Sequence, residues 1–79
     1  MTETFVTDLL RTELETRQIS LSNLETVISA TRNKMTTTTN KRDYVYLKAE
    51  LDKYEMRRRE LRGEVSALRQ AIKRLERSE

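Results

Sequence analysis

The sequence predicts an all-α fold: an antiparallel two-helix coiled-coil hairpin that self-associates into a four-helix bundle or a larger helical assembly. Three observations carry this expectation. First, residues 44–75 place apolar side chains at every third and fourth position: Tyr44, Leu47, Leu51, Tyr54, Arg58, Leu61, Val65, Leu68, Ile72 and Leu75. Only Arg58 breaks the pattern, which is the a/d seam of a heptad helix. Second, Pro is absent, Gly occurs once and 37% of the residues are charged. That is a long-helix profile, not that of a sandwich or an α/β enzyme. Third, the first half of the chain carries its own weaker seam, out of phase with the second.

The first helix is expected over residues 3–33. Its seam runs Leu10, Leu14, Arg17, Leu21, Leu24, Ile28, Thr31, Met35. Thr2 or Thr4 can cap it, and Glu3 and Asp8 suit its positive end. Thr and Ser recur along it and are mediocre helix formers, so this helix leans on tertiary contacts.

A loop is expected over residues 34–39. Four consecutive threonines disfavour helix, and Asn33 can take the left-handed conformation that ends one. Asn40 reads as an N-cap, with Asp43 as a box-like partner, and the second helix is expected over residues 41–77. One continuous helix is disfavoured. From Met35 to Tyr44 the a positions advance by a heptad plus two residues, a shift that regular coiled coils do not absorb. A short link then makes antiparallel neighbours.

In an antiparallel pair, a positions face d positions. A turn centred between Thr37 and Thr38 sets Thr31 against Tyr44, Ile28 against Leu47, Leu24 against Leu51 and Leu21 against Tyr54. It continues with Arg17 against Arg58, Leu14 against Leu61, Leu10 against Val65 and Thr7 against Leu68. Flanking charges then agree near the turn, Glu25 by Lys48 and Lys34 by Asp43. Further out they clash, Arg11 by Arg62 and Glu13 by Glu64. The open end is expected to be poorly matched within one chain, leaving Leu68, Ile72 and Leu75 for a second molecule.

Three surface features bear on function. The polar layer of Arg17 and Arg58 either snorkels, with Glu13 and Glu55 as intrahelical partners, or receives a carboxylate from another chain. Helix two carries Arg59, Arg62, Arg69, Lys73 and Arg77, possible nucleic-acid contacts, although interleaved acids blunt their field. Helix one carries a semi-apolar, uncharged outer stripe: Phe5, Leu9, Thr12, Thr16, Ile19, Asn23, Thr26 and Ala30. Helix two has a small-residue track of Val45, Ala49, Met56, Gly63 and Ala67. Of these, Phe5, Leu9 and Ile19 are the expected interface residues, together with Leu68, Ile72 and Leu75.

Composition narrows the function classes. With 79 residues the core is small, and no Cys or His supplies a disulfide, a thiolate metal site or a nucleophile–base pair. No glycine-rich phosphate loop occurs, so neither an enzyme nor a cofactor is expected. No apolar run reaches the roughly 18 residues that would span a membrane. The acidic N-terminus lacks a basic leader region, so the expected location is the cytoplasm, or the host cytoplasm if the chain is viral. The net charge of +3 comes mainly from the second half.

The expected function is therefore a non-enzymatic protein–protein interaction module (an adaptor, assembly component or inhibitor), homo-oligomeric, with a dimer favoured. The alternative is nucleic-acid binding through helix two. In shape the predicted hairpin resembles the plasmid copy-control Rop proteins, short helical hairpins that dimerise into four-helix bundles and bind paired RNA loops. It is also similar in shape to the coiled-coil hairpin of Gre-type transcript-cleavage factors. The tip here, Lys34, Lys41, Arg42 and Asp43, lacks the acidic chemistry of those factors.

Overall fold

The computed structural model describes residues 2–77, with side chains from Phe5 to Arg77. The capping expected of Thr2 or Thr4 therefore lies outside the described side chains. Two helices make up the structure: α1, Thr2–Thr37, and α2, Lys41–Arg77. They pack against each other as an antiparallel hairpin measuring 59 × 14 × 13 Å. The radius of gyration is 17.8 Å, against about 12 Å for a globular chain of this length. A rod this thin has a core one seam wide. Its buried apolar residues are Ile28, Leu51, Leu61, Val65 and Ile72, and Ile28 is only 1% exposed.

The threonine run does not break α1 where expected. The helix continues through Asn33, Lys34 and Met35 to Thr37, and the reversal takes only residues 38–40. The cause is local. The Thr36 hydroxyl donates to the Asn33 carbonyl at 2.7 Å, and the Thr37 hydroxyl to the Lys34 carbonyl at 3.1 Å. Both the amide and the hydroxyl of Thr38 reach that same Lys34 carbonyl, at 3.0 and 2.7 Å. The threonine hydroxyls thus add donors to carbonyls of the last turn, beside the Thr38 amide on Lys34. Asn33 does not adopt the left-handed conformation, and no described residue has a positive φ. Asn40 does cap α2: its side-chain oxygen accepts from the Arg42 amide at 2.9 Å.

The longer α1 moves the register by one heptad. Three ion pairs between e positions cross the helices, spaced one and then two heptads apart: Arg32 to Glu55 at 2.6 Å, Arg62 to Glu25 at 3.2 Å, and Arg11 to Glu76. Each step of seven back along α1 is matched by seven forward along α2. These are e positions, and they set the core levels between them. Thr31 lies level with Leu51, Ile28 with Tyr54, Leu24 with Arg58 and Leu21 with Leu61. Arg17 lies level with Val65, Leu14 with Leu68 and Leu10 with Ile72. The burial pattern agrees, since Thr7, Ile28, Thr31, Leu51, Leu61, Val65 and Ile72 are all buried.

Three expectations are corrected by this shift. Arg17 and Arg58 do not face each other. Tyr44, expected against Thr31, lies level with the turn and is exposed. The open end is not left unmatched: Val65 and Ile72 are buried there, Leu68 and Leu75 are half-buried, and Arg11 pairs with Glu76. Sliding the observed pairs back by the seven residues that separate the registers would set Arg32 by Lys48, Glu25 by Glu55 and Arg11 by Arg69, in place of the Glu25–Lys48 and Arg11–Arg62 neighbours expected from the sequence. The charges select the observed register.

Exposed ion pairs of this kind contribute roughly 0.2–1 kcal/mol each. Arg32→Glu should therefore lower the melting temperature, and adding Glu55→Arg should restore it. With α2 slid back by one heptad to the expected register, Arg32→Glu would meet Lys48 and stabilise, so thermal melts separate the two by sign. A second expectation concerns Gly63, in the middle of α2. A Cβ built there meets nothing within 4 Å. Gly63→Ala should stabilise the hairpin by about 1 kcal/mol in chemical denaturation.

Candidate interaction surfaces

Surface character follows from heptad position. Residues nearly opposite the a/d seam point away from the partner helix. On α1 these are the c and f positions, which hold the stripe from Phe5 to Ala30. Phe5 is 68% exposed, Leu9 54% and Ile19 57%. The stripe threonines do not offer free hydroxyls. Thr12 donates to the Asp8 carbonyl at 3.1 Å, Thr16 to Thr12 at 3.0 Å and Thr26 to Ser22 at 3.3 Å. Each hydroxyl is turned onto its own helix, which leaves the methyl group facing out. This makes the stripe more apolar than its composition suggests. On α2 the small-residue track is exposed along its length, and Met56 is 64% exposed. Around the turn, Tyr44, Val45 and Tyr46 form a further exposed apolar group. Three consecutive large residues spanning one seam position and two outer positions were the sequence signal for it.

The expected interface residues divide. Phe5, Leu9 and Ile19 are outward and open. Leu68, Ile72 and Leu75 face α1, and the hairpin itself covers them in whole or part.

The expected polar layer resolves into two separate sites. Arg17 is half-buried and bridges two acids. It pairs with Glu13 on its own helix and, at 3.5 Å, with Glu64 across the seam. Its pKa lies above the usual arginine value, first through the hydrogen bond to Glu13 and then through the charges of Glu13 and Glu64. Without Arg17, the two carboxylates would face each other across the flank. Arg58 is half-buried level with Leu24 and has no ion pair among the described residues. Its expected partner Glu55 is taken by Arg32. Nearby, the Tyr54 hydroxyl donates a hydrogen bond to the Glu50 carboxylate, whose bond and charge hold that phenol above the ordinary tyrosine value.

The candidate nucleic-acid residues Arg59, Arg62, Arg69, Lys73 and Arg77 are all exposed. Arg62 is tied to Glu25. Arg69 and Lys73 carry no ion pair among the described residues and line an open groove with Gln18, Ser22, Arg62 and Ser66. Arg58, Arg59 and Arg62 line a smaller hollow beside Glu55. The basic residues therefore gather on the side of the rod that carries the e-position ion pairs, and three acids (Glu25, Glu55 and Glu76) are already engaged there. Among the described residues, no helix is long and apolar enough to cross a membrane.

Arg17→Leu should lower the melting temperature at low ionic strength, because Glu13 and Glu64 lose their bridge. Adding Glu64→Gln should recover most of the loss. Arg58→Leu, level with Leu24, should instead stabilise by about 1 kcal/mol. Thermal melts of the three variants check this opposite behaviour.

Comparison with known proteins finds no family model, no curated protein and no solved structure that matches this chain.

Proposed function

We propose that this protein is a non-enzymatic interaction module: a helical hairpin that associates with its own kind and acts by binding a protein, as an adaptor, assembly component or inhibitor. The observation that carries the reading is the outer stripe of α1. In a chain that is 37% charged, its ten c and f positions from Phe5 to Thr37 hold no charged residue. Solvated faces of coiled coils are normally filled with Lys, Glu and Arg, and faces without them are packing surfaces. The thin core gives the same preference a thermodynamic reason. Two-helix rods bury little apolar area, and association adds to it. The work is assigned to the cytoplasm, since a chain without Cys draws no stability from an oxidising compartment.

One observation favours a second reading, nucleic-acid binding in the manner of Rop-like hairpins: among the described residues Arg69 and Lys73 have no ion pair along a groove whose acid, Glu25, is engaged by Arg62. Phosphate contacts of that kind are steeply salt-dependent. Titration against duplex RNA and duplex DNA at low and high salt, beside a solution mass measurement across concentrations, separates the readings. The interaction reading expects mass to rise with concentration and nucleic-acid binding to stay weak. Micromolar or tighter binding with a steep salt slope would replace it with the second.

A further inference from the structure

The interaction reading leaves open which face meets what. We infer that the outer stripe of α1 is a homodimer seam, in which α1 packs antiparallel against α1 of a second copy. This rests on the self-association reading and adds the surface, the partner and the register.

The stripe has the spacing of a coiled-coil seam. From Phe5 to Ala30 its residues alternate steps of four and three, over about 38 Å of helix. It has no charge to oppose its own image, so a second copy meets it without repulsion along the contact line. Burial is also permitted chemically. Thr12, Thr16 and Thr26 already donate their hydroxyls to carbonyls of their own helix. Covering them strands no donor. The hairpin uses the same device in its own core, where Thr31 is buried with its hydroxyl on the Val27 carbonyl at 2.8 Å.

Side-chain size and polarity select one register. With the twofold axis between Arg17 and Gln18, Phe5 meets Ala30 of the other copy, Leu9 meets Thr26, Thr12 meets Asn23 and Thr16 meets Ile19. Each large residue faces a small or β-branched one, the arrangement that interdigitates best. Asn23, the one amide in the contact, finds the Thr12 hydroxyl oxygen, which can still accept. A shift of one heptad in either direction would set Asn23 against Ile19 or Phe5 and leave its amide buried without a partner, a penalty that fixes register in coiled coils.

Orientation follows from the flanks. In a parallel dimer, Asp8 of each copy would lie by Glu13 of the other, two repulsive contacts. The antiparallel dimer has a single like-charge contact, Glu15 against its own copy, and opposes the helix dipoles favourably. Because the stripe lies nearly opposite the seam that holds α2, the two α2 helices stand on the outside. The assembly is then a four-helix layer instead of a square bundle.

Sedimentation of the full chain from low micromolar to millimolar concentration tests this, with circular dichroism to confirm that each variant keeps its helices. Ile19→Glu should weaken the dimer at least about tenfold, and Met56→Glu on the outer face of α2 should leave it unchanged. Glu15→Gln should tighten it. Under oxidising conditions Ser20→Cys, beside the axis, should form a disulfide-linked dimer, and Phe5→Cys, far from its own image, should not. A dimer that survives Ile19→Glu or is lost in Met56→Glu would overturn the inference while the self-association reading stands. Efficient cross-linking of Phe5→Cys would overturn the antiparallel register. A wild-type chain that remains monomeric throughout would overturn both.

Discussion

An antiparallel pair of heptad helices can slide by seven residues and still place every a position opposite a d position. The apolar seam alone therefore leaves the level of each contact undetermined. In this hairpin the e-position ion pairs remove the degeneracy. Arg32 with Glu55, Glu25 with Arg62 and Arg11 with Glu76 are all opposite in sign, and a heptad slip back toward the expected register would make each of them like-charged. Single exposed pairs are worth little, but the difference between attraction and repulsion at three sites is summed over the whole rod. Everything else in the structure sits at the level those pairs set: the burial of Val65 and Ile72, the separation of Arg17 from Arg58, and the exposure of Tyr44 beside the turn.

Threonine is the second device that recurs. Its hydroxyl can fold back onto the carbonyl three or four residues earlier, which weakens an isolated helix but serves two ends here. At the end of α1, Thr36, Thr37 and Thr38 add hydroxyl donors to carbonyls of the last turn, where a sequence that looks like a loop extends the helix. Along the outer face, the same bond turns Thr12, Thr16 and Thr26 into methyl-presenting side chains. One residue type thus both lengthens α1 and prepares its outer face for burial. The length gained at the turn is also what allows the favourable charge register.

Arg17 shows how a charged residue can occupy a thin core without a buried-charge penalty. It remains half-exposed and bridges two acids that would otherwise repel across the g flank. Arg58 also lies on a seam, at an a position of α2 where Arg17 has a d position of α1, but its intrahelical acid is engaged elsewhere. Two arginines that look alike in the heptad pattern are therefore unlike in role. The difference comes from which acids lie within reach.

The sequence by itself determined the class, the presence of two helices, their seams, the cap at Asn40 and the uncharged outer stripe. These are local properties: heptad spacing, the absence of Pro and an Asn before a charged, apolar-periodic run decide them within one or two turns of chain. Only the tertiary structure decided where α1 ends, which residues share a level, and which acids Arg17 and Arg62 meet. The last two depend on pairs far apart in sequence, and a seven-residue repeat looks the same after a seven-residue slip. The expected register matched apolar to apolar as well as the observed one does. What distinguished them was the sign of charges facing across the helices, which acts only once the chain has folded back on itself; the threonine hydroxyls at the end of α1 act locally, within one turn.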